Sequence, residues 1–305
     1  MRELTGNRRG YLLFGAMTTP LAILCAGCPA LPAIPLILFA ALAETALSRA
    51  LGERGLAEVI PAPLAVLAAL GLIPLEAFAA SLCADCWPSA GQEILFPLTL
   101  LILAAGGTLA GTDGAGRVSV LLTRLLAAWF LLVLPAVAYE TSPQPPVGTL
   151  RDALPVLPVC TIGFCGLFLP VKGREKTGVR HACFLFIAVL TLYACAGITE
   201  GTALLTAVKG MDRLHVRFES LASCAMTVGL YQTLTLIGCA ASEILSALGA
   251  KKEWVCVFFL TAAGLIPVIR GASAVLLLTA AGLSWGLPVL AALPVVVNKR
   301  DRKSF

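Results

Sequence analysis

The sequence predicts an all-α integral membrane protein with about ten transmembrane helices, arranged as a five-plus-five inverted repeat. Three observations predict it. Hydrophobic residues fill 59% of the 305 positions and charged residues 13%, too apolar a balance for a water-soluble core. Polar breaks cut the chain into apolar runs near the ~20 residues that a bilayer core requires. Alternate loops then separate the basic residues. One set holds Arg2, Arg8, Arg9, Arg49, Arg54, Arg117, Arg124, Lys172, Arg174, Lys176, Arg180, Lys251, Lys252, Lys299, Arg300, Arg302 and Lys303. The other keeps Arg151, Lys209, Arg213, Arg217 and Arg270. That asymmetry, 17 against 5, places both termini in the cytoplasm. The net charge of +5 therefore reflects orientation in the membrane, and no nucleic-acid partner is expected.

The spans fall at roughly 11–27, 30–50, 57–82, 93–112, 116–138, 154–171, 179–201, 217–247, 253–269 and 272–297. Short loops make residues 1–305 a single transmembrane domain, with a first repeat over about 11–138 and a second over about 154–297. The first span follows a basic start and ends in small residues, as a secretory signal would. Nine further spans behind it make it the first membrane helix. Within it Gly15, Thr18, Thr19 and Pro20 interrupt the apolar run. In the second span Glu44 lies one to two turns from Arg49, the spacing of an interfacial ion pair or a snorkelling side chain.

The third span carries Glu76 just after Pro74, with no basic residue close in sequence. A lone carboxylate in hydrocarbon is costly as an anion, which suits proton coupling, an amine ligand, or a neutral acid bonded to a neighbouring helix. Near the end of the fourth span, Gly107-Thr-Leu-Ala-Gly111 fits a close-packing motif. A Pro-rich stretch from Tyr139 to Asp152 then separates the two halves. The sixth span holds Pro155, Pro158, Thr161, Gly163 and Gly166 before Pro170, an interruption equivalent to that of the first. Proline removes a backbone donor and glycine loosens the helix, so both segments could offer backbone groups to a ligand at mid-membrane, or could simply be kinks. In the eighth span Ser223, Thr227, Tyr231, Thr235, Cys239 and Glu243 recur every fourth residue. That row either lines a solvated path or bonds to another helix.

Most of the 11 cysteines lie inside spans and read as small packing residues. Two pairs, Cys25-Ala-Gly-Cys28 and Cys83-Ala-Asp-Cys86, sit at the external ends of spans. They are structural or incidental, or else a redox couple or thiolate metal site. His181 and His215 are the two histidines, both at span ends, and no phosphate-cradling Gly loop or HExxH is present. No enzyme activity, cofactor or metal site is expected.

The order of these features resembles the spore-germination permeases, the B subunits of nutrient germinant receptors within the amino-acid/polyamine/cation transporter superfamily. Gly111-Thr-Asp-Gly-Ala-Gly-Arg117 is similar to the family's short turn between spans 4 and 5. Leu154-Pro-Val-Leu-Pro158, Thr161-Ile-Gly-Phe164 and Leu169-Pro170, with the basic loop to Arg180, resemble its sixth span and cytoplasmic exit. Met211-Asp-Arg-Leu-His-Val-Arg-Phe-Glu-Ser220 resembles the entry to its long eighth span, and Leu230-Tyr231 falls in its aromatic stretch. The chain is shorter than usual for that family, lacks its Gly-Val-Gly stretch in the first span, and carries Cys165 where a Glu is common.

The resemblance implies a LeuT/APC-like helical inverted-repeat fold and a sensor in the spore inner membrane or plasma membrane, assembled with other receptor subunits. Its ligand would be an amino acid or similar small nutrient, bound between spans 1, 3, 6 and 8. On that reading Thr18, Thr19, Thr161 and Gly163 hold the ligand, Glu76 meets an amine or proton, and Thr227 and Tyr231 line the path. The alternative is a proton-coupled secondary transporter of amino acids or amines. A membrane redox protein using the two Cys pairs is a third reading.

Overall fold

The computed structural model describes residues 54–83, 94–122, 161–170, 218–269 and 274–292, with isolated positions between 35 and 51, at 124, 125 and 128, and at 294. Among them the secondary structure is entirely helical, with no strand. The long elements are α1 (Ala62–Ser81), α2 (Leu95–Leu109), α3 (residues 112–122), α4 (Phe218–Ala247) and α5 (Trp254–Ile269). A final helix, α6, begins at Ala274–Ala281, passes through a π turn at Gly282–Gly286 and regains α geometry to residue 292. Two 3-10 segments, Leu56–Glu58 and Thr161–Phe168, complete the set. The first span, the seventh, and the Pro-rich loop lie outside the described residues.

Among the described residues, three helices are long and apolar enough to cross a membrane: Ala62–Ser81, Met226–Ala247 and Val275–Ala292. At 1.5 Å per residue each spans roughly 27–33 Å, close to a hydrocarbon core. The outer surfaces of α2, α5 and α6 agree with that solvent. Ile102 and Leu260 are each 72% exposed and Val275 71%, side chains that water would disfavour and lipid tails accept.

Local chemistry sets the ends. Pro61 caps α1 with an extended backbone, and Pro63 falls in the first turn, where its missing N–H costs nothing. The third span therefore starts at Ala62, not at 57, because Leu56–Glu58 closes its own 3-10 turn first. α2 stops at Gly111, whose φ of +86° reverses the chain and lets α3 begin at once. α4 ends in a Schellman motif: Ala250 N–H donates to Leu245 O at 2.9 Å and Gly249 N–H to Ser246 O at 3.0 Å. Gly249, with φ of +75°, is the residue that permits it.

α1 is the hub, packing against α2, α4, α5 and α6. Ala65, Ala68, Leu72, Leu75 and Ala79 on α1 are all buried. Small residues set the spacing, as expected where close van der Waals packing holds helices together in lipid. A Cβ at Gly71 would lie 2.7 Å from both Ala280 O and Ser284 N of α6. A Cβ at Gly55 would meet the Phe168 carbonyl, so the chain entering α1 lies directly against the end of the 161–168 segment.

Candidate functional site

Of the residues expected to bind a ligand, Glu76 has the most demanding surroundings. It lies in the C-terminal half of α1, half a turn beyond Pro74, and is 0% exposed. Both carboxylate oxygens are buried with no hydrogen-bond partner among the described residues. An uncompensated carboxylate shielded from water costs several kcal/mol as an anion, so a proton or a cationic group must accompany it. Pro74 bears on this position. It withholds an N–H from the helix one turn back and frees a carbonyl there.

Thr161 and Gly163 fall in a stretch that is 3-10 helical over all eight residues of Thr161–Phe168, longer than such turns usually run. The sixth span is thus irregular where the proline and glycine spacing suggested an interruption. Ile162, Phe164, Cys165, Leu167 and Phe168 around them are buried. Thr18 and Thr19 lie outside the described residues, as do Cys25, Cys28 and Cys86; Cys83 is a buried thiol. Among the described residues no group of three or more His, Cys, Asp or Glu could hold a metal ion.

α4 joins these parts, because it packs on α1, on the 161–168 segment and on α2. Thr227 and Tyr231 are half-buried on it, while Thr235 and Cys239 are buried. Part of the polar row is consumed locally: Thr235 Oγ1 donates to Tyr231 O at 2.7 Å. Tyr231 itself meets α2, where a Cβ at Gly107 would lie 2.6 Å from its hydroxyl. Two turns along, a Cβ at Gly238 would lie 2.5 Å from Thr108 Oγ1 and 2.6 Å from the Phe259 ring. The row therefore packs, at Tyr231 and Thr235, against Gly107 of α2. It reaches a polar cavity only at its end.

That cavity, about 220 Å³, lies between the C-terminal ends of α2 and α4 and the start of α5. Thr108, Thr112, Ser242, Glu243 and Ser246 line it, with Lys251 and Lys252.

Three features were not singled out in the sequence. Gln232, buried on α4, donates from Nε2 to Ser119 O at 3.2 Å and ties α4 to α3. It stands out as an amide in an apolar span, which was the available signal. Phe164 stacks on Trp285, ring centroids 4.2 Å apart and planes 13° from parallel. This joins the 3-10 segment to the π turn of α6, two non-α stretches in contact. Trp285 Nε1 is buried there with no acceptor among the described residues, and Ser284 Oγ donates back to Ala281 O at 2.9 Å. Gly282 and Gly286, bracketing the turn, were the sequence trace of it.

Compared with known families and with curated proteins, the chain matches no family model and no curated protein. Functional assignment rests on the residues themselves.

Proposed function

We propose that this chain is a permease-like membrane subunit that senses an amino acid or similar small nutrient, acting as the B-type subunit of a spore germinant receptor. Glu76 is the observation that carries the reading. A carboxylate held inside an apolar helix with neither oxygen bonded is a poor structural element, and it suits a site that receives an amine or a proton. The 3-10 backbone over Thr161–Phe168 adds support, since mid-span segments that leave α geometry are where helical permeases present backbone groups to solutes.

The finer architecture belongs to the same proposal. It comprises ten spans in two inverted five-helix units, both termini cytoplasmic, and a pocket between spans 1, 3, 6 and 8. Thr18, Thr19, Thr161 and Gly163 would contact the nutrient, and Thr227 and Tyr231 would flank its path. Binding would act by favouring one of two conformations, which requires unequal affinity for them.

Glu76→Gln in a spore-forming host is the test. The substitution keeps shape and removes the charge, so the protein should reach the membrane at normal abundance while the nutrient response is lost. A response at wild-type nutrient concentrations would remove Glu76 from the site. The same carboxylate favours one other reading, a proton-coupled amino-acid or amine transporter. Uptake into proteoliposomes driven by an imposed pH gradient, and abolished in Glu76→Gln, would select it over the sensor.

A further inference from the structure

The polar cavity beside Lys251 and Lys252 has no part in the site built around Glu76. We infer that it is a water-filled vestibule, admitting small polar solutes into the bundle from the lysine-bearing face and closed at its inner end by the contact of α2 with α4. Its size and lining argue for water. At about 220 Å³ it holds several molecules, and cavities lined by hydroxyls and charges are wet where apolar ones stay dry. Thr108, Thr112, Ser242 and Ser246 supply hydroxyls, Glu243 a carboxylate, and the lysines two ammonium groups. Such a mixture accepts either sign of charge and fits small zwitterionic or neutral polar solutes.

Its inner end coincides with two tight approaches. Gly238 admits Thr108 and Phe259, and Gly107, the residue before Thr108 on α2, admits the Tyr231 hydroxyl. Cys239, next to Gly238, borders the cavity and is 0% exposed, so it sits at the closure. Beyond it the row on α4 continues inward through Thr235, Tyr231 and Thr227. Glycine at both approaches lets the helices meet face to face, and any side chain there would wedge them apart. The vestibule rests on the membrane reading but not on Glu76 or the nutrient, so the two proposals fail separately.

Thiol labelling of the full chain in membrane vesicles tests it, using a membrane-impermeant maleimide on one face and peptide-resolved mass spectrometry. Lys252→Cys marks the lysine-bearing face and Ser242→Cys the vestibule wall. Ser242→Cys should be modified from the same face as Lys252→Cys, and native Cys239 in the same molecules roughly tenfold more slowly, because it needs local opening. Gly238→Ala, which wedges the helices, and Tyr231→Ala, which removes the phenol without inserting anything, should each raise the Cys239 rate several-fold. No modification of Ser242→Cys where Lys252→Cys reacts, or modification from the opposite face, overturns the vestibule. Cys239 reacting as fast as Ser242→Cys in the unwedged protein, or unmoved by either opening variant, overturns the closure.

Discussion

Two residues on α1, five positions apart, carry opposite kinds of constraint. Gly71 is held by packing: a methyl group there collides with Ala280 O and Ser284 N, both backbone atoms that cannot swing aside. Gly71→Ala should therefore lower stability in detergent by about 1–3 kcal/mol. Gly264→Ala on α5 is the control, since nothing lies within 4 Å of its Cβ position. A helix there gains from alanine, by up to ~1 kcal/mol. Thermal melts of the two variants should move in opposite directions. Equal shifts would mean that α1 and α6 do not meet at Gly71. Glu76 makes no side-chain hydrogen bond among the described residues. Glu76→Leu should leave the melting temperature unchanged or raise it, because an apolar side chain of similar volume replaces an uncompensated polar one. A fall of several degrees would show that the carboxyl makes a stabilising contact.

Elements depart from regular α geometry where they meet each other. The 161–168 segment and the π turn touch through the Phe164–Trp285 stack, and both are flanked by residues that tolerate irregular backbone, Gly163 and Gly166 on one side and Gly282 and Gly286 on the other. Aromatic pairs of this kind add about 0.5–1.5 kcal/mol beyond the area they bury. Trp285→Phe keeps the ring and deletes a buried N–H with no acceptor, so its unfolding midpoint should hold or rise. Trp285→Ala should lower it by several degrees in the same assay, since stack and buried area both go. At the end of α4 the Schellman turn depends on Gly249. Gly249→Ala should cost about 1–2 kcal/mol through the left-handed strain alone, read by the same melts.

For the whole molecule, the packing makes a claim about topology independent of charge counting. Gly111 and Lys251 line one cavity, so the α2–α3 turn and the α4–α5 turn lie at one end of the helix bundle. The basic-residue asymmetry assigns both turns to the same side for an unrelated reason. Reporter fusions inserted after Thr112 and after Ala250 should therefore give the same side. Opposite sides would break the packing of α2 on α4. Gly55 against Phe168 extends the same geometry: the start of α1 and the end of the 161–168 segment also lie together.

The sequence by itself determined the solvent and the local fold. Long apolar runs admit no structure in lipid but one that satisfies its own backbone, and α4, α5 and α6 begin and end within a few residues of the expected spans. Glu76 was legible too, because a carboxylate is conspicuous wherever its neighbours are Leu and Ala. Tertiary structure alone decided how the polar row on α4 is used. A four-residue spacing says that side chains share a face, and cannot say whether that face meets water or another helix. Gly107, marked in the sequence by its close-packing motif, and Gly238, which was not, let α2 approach α4 to contact at Tyr231 and Thr108. Long-range register also brought Trp285 to Phe164, more than a hundred residues apart. Pairings of that kind depend on which surfaces fit, and a local pattern of apolar residues, alike on every side of a membrane helix, does not specify the fit.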